Sequence, residues 1–472
     1  MLRLLIVASV VIAALLGPSF ASASSRQDVA IASADGTPIA ATLVLPDGAA
    51  PSGGWPAVIF MHGLAQTRAT GLAVAQSMRL SERYAVLAYD ARGHGESGGL
   101  IGIDGPKEIA DVRAVFSWLR DRPEVSDTRI GGWGVSYGGG AAWNSLAAGV
   151  PWAALEISIS WTDLRQALVP QGLAKTGVIA GFLGSLDPKR VDPEVFALRD
   201  AAFSGNLASV GPFAAARSSL SALKGVKTPV FIMQGRRDFA FGIGQALNAY
   251  RALAGPKQLW IGLNGHAPSS GVAADTPAML AEGARWFDRF LRGDTAAPLP
   301  KPIAISPENW KGRPQRLAGL PRTVVTRPRL GSGPTERVDL TRNGGYDVRF
   351  PALAKRTEVF GSPVVEVTAT ASSGWSRIVA VLSARTPSGK QIVVGGGGVP
   401  TRGGKRTYRI ALSDQVTLLP KGSKLTVTVG SSSLAQNPGN LLYLDLPFPA
   451  GAMLSVTDVA VRIPELATPV SR

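Results

Sequence analysis

From residue 25 to about residue 160 the chain alternates short, uniformly apolar runs with stretches of helical spacing. Residues 27–46 open this part with apolar and polar positions taking turns on either side of Asp35-Gly36, which predicts an antiparallel hairpin closed by a D-G turn. Residues 57–60, 84–89, 129–133 and 153–160 are the apolar runs, and they read as strands buried on both faces. Residues 67–80 and 107–120 read as helices, the second with Ile109, Val112, Val115, Phe116 and Leu119 on one side and Pro106 at its start. Strand and helix in turn predict a largely parallel α/β sheet covered on both faces, with its chemistry at the C-terminal strand ends. Residues 161–225 break the rhythm with helical and loop-like pieces rich in aromatics, and read as a cap inserted over the sheet edge. The sheet resumes at 229–233 and ends with 258–263, flanked by helices at 245–253 and 278–292.

Residues 293–302, with Pro298, Pro300 and Pro302, read as a linker. Beyond them the pattern is one of short β-branched segments between Gly, Pro and Ser turns: 364–369, 378–383, 391–394, 407–412, 424–429 and 453–461. That predicts an all-β, jelly-roll-like sandwich. The expected organisation is therefore a catalytic α/β domain over 26–298, its cap at about 161–225, and a β-sandwich over 303–472. Ahead of them, Arg3, the apolar run 4–16 and Ala21-Ser22-Ala23 read as a signal peptide over 1–23. The run is too short to span a bilayer comfortably. The expectation is a secreted or envelope-associated protein, not transmembrane after cleavage; retention of the segment as an anchor is the alternative.

Composition narrows the chemistry. The chain has no cysteine, so a thiol nucleophile, a disulfide framework and a cysteine metal site are excluded. It has three histidines, His62, His94 and His266, so a His-rich metal centre is not expected and a histidine base must be one of these. Net charge is +16, and it is uneven: residues 301–472 hold 23 Lys and Arg against 10 Asp and Glu. A single-sign field of that size favours anionic surfaces. For an exported chain that means an anionic cell-envelope polymer and not nucleic acid; the plain alternative is a solubilising surface.

The chemistry gathers on Gly134-Val135-Ser136-Tyr137-Gly138, at the end of a predicted strand and the start of a small-residue helix. G-x-S-x-G in that setting is a nucleophile elbow, the strained turn that lifts a serine oxygen clear of the sheet. A serine hydroxyl needs a base in reach, and the base needs an anion to fix its tautomer. Asp238 and His266 follow in that order, each just past a predicted strand. Ser136, Asp238 and His266 are thus the expected triad, with Glu156 and Asp163 as reserve acids. The oxyanion needs two aimed N–H donors: Tyr137, after the nucleophile, and Leu64, in the loop after the strand ending at His62-Gly63. His62 and His94 read as architectural.

These segments resemble the Xaa-Pro dipeptidyl-peptidase (S15) and cocaine-esterase-like (CocE/NonD) group of α/β-hydrolases. The resemblance is carried by Asp35-Gly36-Thr37, Tyr89-Asp90-Ala91-Arg92-Gly93-His94-Gly95-Glu96-Ser97, the elbow with Gly139, Gly235-Arg236-Arg237-Asp238 and Gly265-His266. In the last third, Leu419-Pro420-Lys421-Gly422-Ser423-Lys424-Leu425 and Ser431-Ser432-Ser433 are similar to the group's β-sandwich. The resemblance implies an α/β-hydrolase fold with a helical cap and a C-terminal sandwich, and hydrolysis of esters or of peptide bonds after proline, without cofactor. Members of the group commonly place a tyrosine hydroxyl in the oxyanion hole; here the loop reads His62-Gly63-Leu64-Ala65-Gln66, without one. The expectation is an acyl-enzyme carboxylesterase acting on a small ester, with a dipeptidyl-peptidase acting on a short peptide as the alternative. From another class, the alternative is an envelope-binding protein with a vestigial hydrolase core.

Overall fold

The computed structural model describes residues 25–269, 273–296, 298–328, 338–340, 345–433 and 442–470; the expected signal peptide lies outside them. The hairpin forms as predicted: β1 (Ser25–Ala32) pairs with β2 (Pro38–Leu45), Ile31 opposite Ile39, around Asp35-Gly36. The apolar runs become β3 (Trp55–Met61), β4 (Ala85–Tyr89), β5 (Val125–Val135), β6 (Ala154–Ser158), β7 (Val230–Gly235) and β8 (Lys257–Gly262). Two short strands follow, β9 (Ile303–Ile305) and β10 (Gln315–Leu317). The sheet order is β1-β2-β4-β3-β5-β6-β7-β8-β9-β10, with β4 to β9 all parallel.

The helices between the strands are α1 (Arg68–Ser77), α2 (Pro106–Arg120), α3 (Tyr137–Ala147), the cap helices α4 (Leu164–Leu168), α5 (Thr176–Gly184), α6 (Pro193–Ser204) and α7 (Val210–Ala215), then α8 (Ile243–Ala252) and α9 (Thr276–Leu291); those outside the cap cover both faces of the sheet. Strand side chains alternate faces, and the runs are apolar throughout because both faces are packed. In β3, Ala57, Ile59 and Met61 join one core with Val112, Phe116 and Leu146 of α2 and α3. Val58 and Phe60 join the opposite core with Val74 of α1 and Trp286 and Phe287 of α9. Each fully buried Ile or Phe contributes roughly 1.5–3 kcal/mol.

The strand at 258–263 is not the sheet's last, and the sandwich does not begin at 303. β9 pairs in parallel with β8, Leu259 opposite Ile303, so the chain returns from its proline-rich stretch to extend the catalytic sheet. The reason is burial: Ile303, Ala304 and Ile305 are wholly covered. The remaining strands are β11 (Thr323–Thr326), β12 (Val338–Leu340), β13 (Gly345–Ala352), β14 (Thr357–Gly361), β15 (Val364–Ala371), β16 (Arg377–Arg385), β17 (Gln391–Pro400), β18 (Gly404–Ala411), β19 (Gln415–Leu419), β20 (Lys424–Gly430) and β21 (Leu454–Leu466). They form two antiparallel sheets. One runs β18-β15-β21-β14-β19, with β11 and β12 also on β21; the other runs β13-β20-β16-β17. The inward-facing positions make one core, including Val367, Ile378, Val427 and Val461.

The two parts are joined tightly. Phe360, Val416, Leu466 and Val470 enter the core of the catalytic sheet. Arg236, at the end of β7, forms a buried ion pair with Glu358 of β14 at 2.6 Å.

Candidate active site

The elbow owes its shape to two glycines. A Cβ on Gly134 would lie 2.3 Å from the Gly138 carbonyl oxygen, and one on Gly138 would lie 2.1 Å from the Met61 carbonyl oxygen. With those spaces free, β5 turns into α3 within one residue. Ser136 sits at the turn with φ 53° and ψ −111°, a left-handed conformation that L residues avoid and that costs of order 1–3 kcal/mol. Its backbone is pinned on both sides: its N–H donates to Ser158 O at 2.9 Å, and its carbonyl accepts from the Ser160 hydroxyl at 2.8 Å.

The loops after β7 and β8 bring the other two expected residues to the serine. Ser136 Oγ lies 2.8 Å from His266 Nε2, and His266 Nδ1 lies 2.8 Å from Asp238 Oδ2. Asp238 is fully buried, and its carboxylate is saturated: Oδ2 also accepts the His266 backbone N–H at 3.1 Å, and Oδ1 accepts those of Ala240 and Phe241 at 3.0 and 2.9 Å. An ionised Asp238 requires the proton on Nδ1, which leaves Nε2 as the acceptor facing the serine hydroxyl. Phe182 and Phe241 meet the imidazole edge-on, with centroids at 5.6 and 5.1 Å.

On the other side of the serine, the N–H groups of Leu64 and Tyr137 donate to no acceptor among the described residues, and both residues line the cavity onto which Ser136 opens. Their loops are tied together, Gly138 N–H donating to His62 O at 2.9 Å. His62 is buried, with Nδ1 2.7 Å from Gly63 O and Nε2 accepting the Ala91 N–H at 2.9 Å. That pair fixes the neutral Nδ1–H tautomer, and burial holds its pKa below the ordinary value. His94 meets His62 edge-on and Tyr137 at a tilt, with centroids at 5.0 and 5.3 Å, and its Nδ1 lies 3.1 Å from the Arg92 carbonyl oxygen. Burial, then His62, lowers it to about 4. Both are framework, as is the turn around them. Arg92 ties Asp35 of the hairpin to Asp111 of α2, and Asp90 takes the Arg68 and Glu96 N–H groups at 2.7 and 2.9 Å.

The reserve acids lie elsewhere. Glu156 is wholly buried in the sheet against Gly283 of α9, its pKa raised well above the usual range by burial and Glu282. Asp163 caps α4, accepting the Gln166 N–H at 2.9 Å. The cap builds a cavity over Ser136 that encloses about 120 Å³. Trp161, Phe182, Phe213 and Phe241 line it with aliphatic residues of the cap helices, and none of its lining residues is Asp or Glu. Two of its residues are charged, Arg165 and Arg199. Sequence reading found the cap aromatics as a class but missed Phe241 and the double N–H grip on Asp238; the run Asp238-Phe239-Ala240-Phe241 after a strand was the available signal. Among the described residues no cluster of His, Asp and Glu could hold a metal ion, and no helix is long and apolar enough to cross a membrane.

Comparison with known proteins gives this arrangement a context. The family model described as X-Pro dipeptidyl-peptidase (S15 family) matches residues 35–268, from the hairpin turn to just past His266. Among solved structures, a CocE/NonD family hydrolase from Staphylococcus aureus has a TM-score of 0.70 at 15% identity, covering 94% of either chain. An α-amino acid ester hydrolase has a TM-score of 0.70 at 15% identity, covering 97% of this chain and all of its own. At such identities these likenesses concern the fold. An uncharacterised 31.7 kDa protein from Escherichia coli is 31% identical over 110 residues, 23% of this chain and 37% of its own. The chain spans about a third of the length of the curated relatives it matches.

Proposed function

The chain belongs to the S15 family of α/β-hydrolases, and on that premise we propose that it is a serine carboxylesterase whose triad is Ser136, His266 and Asp238. In this reading Ser136 Oγ attacks the ester carbonyl carbon while its proton passes to His266 Nε2. Asp238 stays anionic and stabilises the imidazolium through Nδ1–H. The tetrahedral oxyanion takes the Leu64 and Tyr137 N–H groups. Collapse returns the Nε2 proton to the leaving alkoxide and leaves an acyl-serine. Water, activated by the same nitrogen, then releases the acid.

One observation carries the choice of ester over peptide: the cavity at Ser136 is apolar and its lining contains no carboxylate. A dipeptidyl-peptidase holds a free ammonium close to the scissile bond, and an ammonium taken out of water without a counter-charge is costly. Glu156, enclosed in the sheet against α9, and Asp163, which caps α4, are the carboxylates that could have served, and neither lines the cavity. An uncharged acyl group, aliphatic or aryl, suits these walls.

The test is a panel on the purified chain: p-nitrophenyl esters of increasing acyl length beside Xaa-Pro aryl amides. The expected result is hydrolysis of the apolar esters, with Xaa-Pro amides slower by at least about 100-fold. Faster turnover of the amides would make it a dipeptidyl-peptidase instead. Ser136→Ala is expected to abolish turnover and labelling by a fluorophosphonate. Wild-type protein that neither turns over an ester nor takes the label would leave a vestigial hydrolase core.

Export and a place in the cell envelope are part of the proposal, supported by the N-terminal sequence pattern and the basic last third. N-terminal sequencing of the protein from fractionated cells tests the first. Cosedimentation with anionic cell-wall polymer, lost at high salt, tests the second.

A further inference from the structure

Lys175 is a buried cation that the triad chemistry does not use. It precedes α5 in the cap, is 5% exposed, and donates through Nζ to Phe239 O at 3.0 Å and Ala240 O at 3.2 Å. Those carbonyls belong to the peptide planes whose N–H ends are Ala240 and Phe241. In a trans peptide the C=O and N–H point in opposite directions. Each plane is therefore gripped at both ends, by Lys175 at its oxygen and by Asp238 Oδ1 at its nitrogen.

We propose that Lys175 is a positioning residue for the reaction: through two peptide planes it orients the acid loop and fills Asp238 Oδ1, reserving Oδ2 for His266. This rests on the triad reading above. It gives the cap a part in the catalytic frame beyond lining the cavity. Lys175, immediately ahead of α5, holds the acid loop, and Phe182 within α5 meets the His266 ring. The sandwich completes the frame. Gln415 donates to Asp238 O at 3.1 Å, and Asp414, which also accepts the Gly244 N–H, is with Asp238 the charge acting on Lys175.

The device has a pH signature. Burial lowers the Lys175 pKa to about 8, against the upward pull of Asp414 and Asp238. Above that pH the ammonium becomes an amine, the charge-assisted bonds weaken, and the loop loses its outer grip. Stability moves the other way. The unfolded lysine keeps its proton to a pKa of about 10.4, so between about 8 and that value this group makes the fold more stable as pH rises. Activity that falls where this contribution to stability grows separates positioning from a merely structural role.

The experiment measures kcat and KM for an apolar p-nitrophenyl ester from about pH 6 to about pH 10. Wild type is expected to show an alkaline limb near pH 8. Lys175→Met should lower kcat about tenfold with KM within about twofold, and abolish that limb. Asp414→Asn keeps an acceptor for Gly244 but removes the anion, so its limb should move to lower pH; this variant also serves should Lys175→Met not fold. A wild-type limb unchanged in both variants overturns the proposal, and so does wild-type kcat in Lys175→Met. No turnover by wild type would fail the hydrolase reading and this one with it. A working wild type whose limb ignores both variants fails this one alone.

Discussion

Removing one partner of the Arg236–Glu358 pair should show how firmly the sandwich holds the catalytic sheet. The two side chains are 2% and 0% exposed and meet at 2.6 Å. Arg236 also donates to Ser306 O at 2.7 Å, and Glu358 also accepts the Val470 N–H. Glu358→Ala leaves a guanidinium buried with one fixed carbonyl partner and the more distant Glu308 carboxylate at 3.9 Å. An uncompensated buried charge of that kind costs about 3–5 kcal/mol. Arg236→Met together with Glu358→Leu takes both charges away and fills the space, and should recover most of the loss. The coupling in the double-mutant cycle is therefore expected at about 2 kcal/mol or more. Urea unfolding followed by far-UV circular dichroism measures it. A single transition is expected, because Phe360, Val416, Leu466 and Val470 lie in the core of the catalytic sheet. A Glu358→Ala loss under about 1 kcal/mol, or additive single losses, would refute the reasoning and reduce the pair to the worth of a surface contact.

The elbow makes a second prediction. In Gly138→Ala the new Cβ meets the Met61 and His62 carbonyl oxygens at 2.1 and 2.7 Å, backbone that cannot swing aside. Fluorophosphonate labelling should slow by at least about 100-fold with the circular dichroism spectrum retained; labelling within twofold of wild type would contradict it. A third concerns acid. The His94 pKa is about 4 in the fold and about 6.5 when unfolded, so between those values the unfolded chain binds a proton that the native one does not. Stability should fall as pH drops through that window, by roughly 2–3 kcal/mol from this group. His94→Asn should flatten the decline in urea midpoint between about pH 6.5 and pH 4; parallel slopes would reject the assignment.

The part of the fold legible in the sequence was the part made by local pattern. Uniform apolar runs gave the parallel strands because both faces of the sheet are packed, and the scarcity of histidine singled out His266. Contacts between distant segments were illegible. β9 is three residues long, too short for any period, and is a strand because the edge of β8 is open to it. The β-branched pattern marks a strand over 391–394, and the four glycines that follow continue it to Pro400. They are small because neighbours crowd in: a Cβ on Gly397 would lie 2.3 Å from the Ala411 carbonyl oxygen. Lys175 in sequence is one lysine ahead of a helix, like many on a surface. Only tertiary packing shows that its ammonium is enclosed.

The stitching of the acid loop by the C-terminal third has a consequence for the order of synthesis. A ribosome makes Ser136 and His266 long before Glu358, Gln415 and Val416, the residues that hold Arg236 and Asp238 from the sandwich side. A nascent chain stopped short of residue 415 carries the nucleophile, the base and the cap, but lacks the partners that lock the acid in place. Under the proposed triad, a fragment ending at the proline-rich stretch would possess Ser136, Asp238 and His266 without the contacts that the sandwich makes to the acid loop.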